Sequence, residues 1–264
     1  MMRPWALILG ASSGFGKATA LEFARKGVNI IGIHLDRKSA MKEVEEFVSD
    51  LRSFGILTKF YNINAADPDA MNSTLDDIKS FFESENKGDY IKVLLHSLAF
   101  GTLKKFISED DNEMINKSQM EMTLDVMANT LVYWVQGCFR RKLFRENSKI
   151  FAMTSSGDQR VMPYYGAVSA AKAALESHIR QLALELAPYG ITANSIKAGV
   201  TDTPALRKIP GNEYLIEMAL KKNPRGRLTT PEDVAKAIVA LSSDDLYWMT
   251  GNVINVDGGE DITG

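Results

Sequence analysis

Short apolar runs alternate along the whole chain with amphipathic stretches of helical period. Trp5 to Leu9 is the first such run, and it leads into Gly10-Ala11-Ser12-Ser13-Gly14-Phe15-Gly16. An unbroken apolar run of this length is what a parallel strand covered on both faces requires. A helix (KATALEFARKG) follows and stops at Gly27, and a second strand is expected over 28–34. The pattern then predicts a helix over 39–54, a strand over 57–61, a helix around 68–86 and a strand over 91–95. A long helix near 119–145, a strand over 149–153, a helix over about 164–187 and a strand over 192–196 come next. A last helix, opened by Thr230-Pro231-Glu232, precedes a strand over 253–256. Strands separated by helices in this way predict an α/β fold, one domain over 1–264 with a doubly wound seven-stranded parallel sheet. No Pro/Ser linker, internal repeat or low-complexity run divides it.

Composition narrows the function classes. With 264 residues, 45% hydrophobic and 24% charged, one sizeable core is expected. A net charge of -2 lacks the basic face that nucleic acid or an anionic membrane requires, so neither is an expected partner. The opening MMRPWALILGASSG runs straight into a strand, without the long apolar stretch and cleavage site of a leader. The one cysteine, Cys138 in LVYWVQGCF, is expected to pack in a core, and a reducing cytoplasmic location fits it. His34, His96 and His178 are too scattered for a metal site, and none is expected.

Two stretches carry candidate chemistry. Gly10, Gly14 and Gly16 permit a tight turn and close approach of backbone to a phosphate, with Ser12, Ser13 and Phe15 filling the loop. The helix beginning there offers free N–H groups to an anion, and the strand–turn–helix–strand context is that of a Rossmann dinucleotide site. The second stretch is TSSGDQRVMPYYGAVSAAK, residues 154–172. Lys172 follows Tyr165 by seven residues, two helical turns, so a helix starting near Pro163 presents both on one face. A phenol beside an ammonium is set to donate to a developing oxyanion. Ser155 either supplies a second polar contact or caps the turn after its strand. Tyr164, about 100° away around such a helix, is expected to pack.

The Gly10–Gly16 loop, Asn62-Ile63, the Ser155/Tyr165/Lys172 group and the closing Asp257-Gly258-Gly259 together resemble the short-chain dehydrogenase/reductase superfamily over essentially the whole chain. One departure directs the reading further. Ordinary members place the tyrosine four residues before the lysine, where this chain has Val168. The wider spacing to Tyr165 is similar to the enoyl-acyl-carrier-protein reductase branch. His96-Ser97-Leu98-Ala99-Phe100-Gly101 and Ala198-Gly199-Val200-Thr201-Asp202-Thr203 resemble that branch's loops too. The ordinary helix asparagine falls at Met127, with Asn129 close by, and the second tyrosine of many branch members is absent at Ser155.

The resemblance implies hydride transfer from a reduced nicotinamide to the β-carbon of a trans-2-enoyl thioester in fatty-acid synthesis. Tyr165 would then meet the thioester oxygen, and Lys172 would hold the nicotinamide ribose. It implies cofactor contacts from Gly10, Ser12, Ser13, Gly14, Phe15, Gly16, Asn62, Ile63, Ser97, Leu98, Ala99, Lys172, Thr201 and Thr203, with Gly101 and Tyr165 facing substrate. Arg37 and Lys38 follow the second strand and point to NADP(H), as does the likeness of 203–208 and the C-terminal third to the NADPH-using bacterial subtype. Asp36 beside them keeps NAD(H) open, although by family spacing the ribose-reading position falls nearer His34. Acyl carrier protein is the implied partner, which Arg207, Lys208, Arg225 and Arg227 would meet unless they are merely solvated. A homotetramer is the implied assembly. Met114, Met120, Met122 and Met127 are expected as core or acyl-pocket wall. Residues 200–222, with Pro204, Pro210 and Gly211, are expected to form a substrate lid. A carbonyl or 3-oxoacyl reductase and a non-catalytic dinucleotide sensor are the alternatives.

Overall fold

A computed structural model of the chain describes residues 3–84 and 88–263. Seven parallel strands form one sheet: β1 (Pro4–Leu9), β2 (Asn29–His34), β3 (Thr58–Asn62), β4 (Tyr90–His96), β5 (Lys149–Thr154), β6 (Thr192–Ala198) and β7 (Val253–Val256), in the order β3-β2-β1-β4-β5-β6-β7. Side chains alternate across β1. Trp5, Leu7 and Leu9 enter the core on one face, and Ala6 and Ile8 the core on the other. Both faces of this strand are therefore dry, which is why its sequence is an unbroken apolar run.

On the Ala6/Ile8 face lie α1 (Gly14–Arg25), α2 (Met41–Ser53) and α8 (Pro231–Leu241). The opposite face carries α3 (Pro68–Ser84), α4 (Lys117–Leu124), α5 (Thr130–Arg140) and α6 (Gly166–Leu186). The cap expected at Thr230 forms a reciprocal box: Asp233 N–H donates to Thr230 Oγ1 at 3.2 Å and Thr230 N–H to the Asp233 carboxylate at 2.9 Å. The helix expected around 68–86 is α3, and the last two expected positions lie outside the described residues. Cys138 is fully buried in the core on the α5 side, and burial pushes its thiol well up.

Three expectations are corrected. The single helix near 119–145 is α4 and α5 joined by one π-helical turn over Asp125–Asn129. Thr130 Oγ1 donates to the Val126 carbonyl at 2.8 Å within that widened turn, and Met127 turns into the core. The helix expected from Pro163 starts at Gly166, because Tyr164 sits at φ 65 in the left-handed region. Within 200–222 the chain forms α7 (Asn212–Lys222), a helix that the proline and glycine signals obscured.

The chain leaves β1 for one side of the sheet and β4 for the other, so the loops beyond β1, β4, β5 and β6 meet at one edge. No helix among the described residues is long and apolar enough to cross a membrane.

Candidate active site

The loop after β1 is closed by backbone contacts that admit only glycine at two places. Gly10 has φ 90, and a Cβ there would lie 2.6 Å from the Ser97 carbonyl oxygen. A Cβ on Gly16 would lie 2.0 Å from the Gly10 carbonyl oxygen. Ser12, Ser13, Gly14 and Phe15 complete the turn, and the first N–H groups of α1 open beside it. Thr203 faces this turn from the β6 loop, 3.7 Å from where a Cβ on Gly14 would stand. Packed backbone at a helix N-terminus suits a pyrophosphate group, so the residues present fit a dinucleotide.

A cleft of about 530 Å³ runs from this turn across the strand ends. Its walls include Phe15, Ser97, Leu98, Ala99 and Gly101. Gly101 has no room for a Cβ, since one would meet Met127 Sδ and Thr123 Cγ2, each at 2.8 Å. Met127 lines the cleft, whereas Asn129 Oδ1 is 3.1 Å from His178 Nε2. The expected lid supplies Leu206, Ile209, Tyr214, Leu215 and Met218 as an apolar wall. Thr201 is buried and donates through Oγ1 to the Gly199 carbonyl at 2.9 Å, and Thr203 Oγ1 accepts from Leu206 N–H at 3.2 Å.

Ser155, Tyr165 and Lys172 converge on this cleft. Tyr165 caps the N-terminus of α6, is 8% exposed, and its Oη lies 3.3 Å from Ser155 Oγ. Burial raises its pKa above the ordinary phenol value, against the Ser155 hydrogen bond, so the phenol carries its proton at neutral pH. Lys172 is buried and its Nζ donates to the Met153 carbonyl at 2.6 Å. Burial lowers the pKa of this ammonium to about 8, with the Glu176 charge opposing. His96 at the end of β4 is fully buried, its Nε2 2.8 Å from Thr130 Oγ1. Burial, reinforced by the Lys172 charge, holds its pKa at about 3, so the ring is neutral. Tyr164 is not on the cleft wall, and Lys105 Nζ lies 5.8 Å from its ring centroid.

The remaining expected residues lie apart from this cluster. Arg37 and Lys38 are exposed beyond β2. His34 Nδ1 is 2.8 Å from Asp36 Oδ2. Asn62 is bound to the Asp36 backbone on both sides, accepting its N–H and donating to its carbonyl at 2.9 Å each, and Ile63 N–H donates to the His34 carbonyl. The Asn62 side chain thus ties β3 to β2. Of the four candidate carrier-protein cations, Arg207 is bound to Asp202 and Arg227 to Asp233, while Lys208 lines the cleft.

Sequence reasoning missed Glu260, which is buried on the cleft wall and accepts Val200 N–H at 3.1 Å. Burial raises its carboxyl pKa. It also missed Glu176, although a glutamate one turn beyond Lys172 on the same helix was a readable signal.

Residues 10–260 match a family model described as enoyl-(acyl carrier protein) reductase. An uncharacterised oxidoreductase of Bacillus subtilis, YjdA, is 30% identical over 96% of this chain and 95% of its own. The NADH enoyl-[acyl-carrier-protein] reductase FabI of Aquifex aeolicus is 32% identical over 74% of this chain and 70% of its own. A crystal structure of the enoyl-[acyl-carrier-protein] reductase (NADH) of Aquifex aeolicus VF5 has a TM-score of 0.83 at 28% identity, covering 100% of this chain and 98% of that one. The 3-oxoacyl-[acyl-carrier-protein] reductase FabG of Thermotoga maritima is 27% identical over 96% of each chain.

Proposed function

From the premise that the chain belongs to the enoyl-(acyl carrier protein) reductase branch of the short-chain dehydrogenase/reductase superfamily, we propose that it reduces the C=C bond of a trans-2-enoyl thioester. Membership makes it a nicotinamide-dinucleotide oxidoreductase; the bond it reduces is the proposal. The observation that carries it is the Tyr165 phenol on the cleft wall, with apolar Val168 at the site four residues before Lys172. A dinucleotide would be held by the Gly10–Gly16 turn, Ser97, Leu98, Ala99, Thr201, Thr203 and Lys172, and when bound it supplies the hydride. The chain's own part is electrostatic. Tyr165 donates its phenolic proton as a hydrogen bond to the thioester oxygen while charge grows there, and buried Lys172 keeps positive charge on the same cleft wall. The Leu206–Met218 wall keeps water from the acyl chain.

The discriminating experiment offers crotonyl and acetoacetyl thioesters in turn and follows reduced-nicotinamide absorbance. Oxidation with crotonyl thioester is the expected result. Oxidation with acetoacetyl thioester alone overturns the proposal in favour of a carbonyl or 3-oxoacyl reductase, the reading favoured by the match to the Thermotoga enzyme. Dinucleotide binding without turnover of either would mark a sensor.

For the cofactor we propose NADP(H), because Arg37 and Lys38 are exposed beyond β2, where a 2′-phosphate is read. NAD(H) is the second reading, favoured by the Asp36 carboxylate held on His34 and by the NADH-named relative. Removing both cations (Arg37→Ala with Lys38→Ala) should raise the NADPH KM about tenfold, one charge-assisted contact, and leave the NADH KM alone. Equal effects on both cofactors count against NADP(H). Acyl carrier protein as partner is supported by Lys208 and Lys222 on the cleft wall, and a homotetramer by exposed Tyr133 and Phe139 on α5 and Leu184 on α6.

A further inference from the structure

Four charged side chains are buried together where β5, α6 and β6 meet. Lys172 and Glu176 come from α6, Asp158 from the turn after β5, and Lys197 from β6. Their contacts are specific. Thr154 Oγ1 donates to Glu176 Oε1 at 2.7 Å, and Lys197 Nζ lies 3.1 Å from Asp158 Oδ1 with both side chains 5% exposed or less. The Asp158 charge opposes ionisation of Glu176, like charge against like. Burying charge costs free energy unless a counter-charge accompanies it. Lys172 has its own hydrogen bond to a backbone carbonyl, which is polar but uncharged.

The groups around the lysine leave one candidate for its counter-charge. His96 beside it is a neutral ring, and Tyr165 on the same cleft wall keeps its proton. Glu176, one turn further along α6, is held by Thr154, the residue next to the Met153 that holds Lys172, and its charge favours the ammonium. Thr154 donates to Glu176, and the charges of Asp158 and Lys197 act on it in opposite directions.

We infer that Glu176 is a positioning residue that keeps Lys172 charged, and that the Asp158–Lys197 pair governs how readily Glu176 ionises. The inference rests on the proposed role of Lys172 at the dinucleotide. Burial first, then the neighbouring Asp158, disfavours ionised Glu176, whereas Thr154 and Lys197 favour it. The two acid substitutions therefore act in opposite directions. Glu176→Gln removes the counter-charge, so Lys172 should lose its proton at lower pH. Asp158→Asn removes a competing carboxylate, so Glu176 ionises more readily and Lys172 should lose its proton at higher pH.

The test titrates Lys172 directly in the full chain by NMR of ¹³C-labelled lysine side chains, the resonance being identified by its loss in Lys172→Met. The wild-type midpoint is expected at about 8. Glu176→Gln should lower it by about one unit, and a midpoint equal to wild type overturns the inference. If Glu176→Gln does not fold, Asp158→Asn decides, an upward movement supporting the inference and none or a downward one overturning it. A merely structural role would lower the melting temperature without moving this midpoint. Because the readout needs neither substrate nor turnover, its failure is distinct from failure of the crotonyl-thioester assay.

Discussion

Replacing Tyr165 with phenylalanine is expected to lower kcat on crotonyl thioester by about 10²–10³-fold, the loss of one preorganised oxyanion donor worth about 2.7–4 kcal/mol. The ring keeps its place in the core, so folding and dinucleotide affinity should change little. Ser155, 3.3 Å from the phenolic oxygen, is half-buried and can turn to water in the variant. Tyr164→Phe is the control. Its ring packs near Lys105 away from the cleft, and its removal should leave kcat within about twofold, the range of a surface substitution. Steady-state kinetics and a dinucleotide titration on both variants decide the matter. Equal losses in the two, or a larger one in Tyr164→Phe, would remove Tyr165 from the reaction.

A second large effect is expected from one added methyl group. In Gly16→Ala the new Cβ would stand 2.0 Å from the Gly10 carbonyl oxygen, 2.9 Å from its carbon and 3.3 Å from Ile8 Cγ2. Two of these atoms are backbone, so no rotamer change relieves the clash, and the turn between β1 and α1 must open. Overpacking of this kind costs about 3 kcal/mol, or roughly 6–12 °C in melting temperature for a chain of this size. Dinucleotide affinity should fall by about 100-fold, roughly the same free energy applied to the cradle. Gly27→Ala gives the contrast. Gly27 has φ 75 with nothing within 4 Å of a Cβ, so only left-handed strain is added, about 1 kcal/mol. Thermal melts and nicotinamide-fluorescence titrations measure both, and a Gly16→Ala protein that melts and binds like wild type contradicts this account.

The expected turnover loss and the added-methyl clash differ in how legible their sites were. The Gly10–Gly16 turn is contiguous in sequence with its strand and helix, and Gly16 answers to the nearby Gly10 carbonyl, although Gly10 itself is pressed against the distant Ser97 backbone. The family pattern of Ser155, Tyr165 and Lys172 was readable because those residues lie within one turn and one helix. Which of two adjacent tyrosines faces the cleft was a finer matter. A regular helix from Pro163 would place them by simple rotation, but Tyr164 adopts φ 65 and Gly166 is pressed against Phe106, whose ring would lie 2.5 Å from a Cβ.

Strand positions, the parallel seven-stranded sheet, the glycine turn and the Thr230 cap were determined by the sequence alone, because periodicity and turn chemistry act over a few residues and need no distant partner. The π-helical turn that sends Met127 to the cleft, the Glu260 carboxyl on the Val200 N–H and the buried Lys172–Glu176–Asp158–Lys197 group were decided only by tertiary structure. Asp158 and Lys197 are 39 positions apart and reach one another because β5 and β6 are neighbours in the sheet. A buried charge is tolerated only where the fold brings its opposite, and that pairing is a property of the packed sheet and helices rather than of either segment.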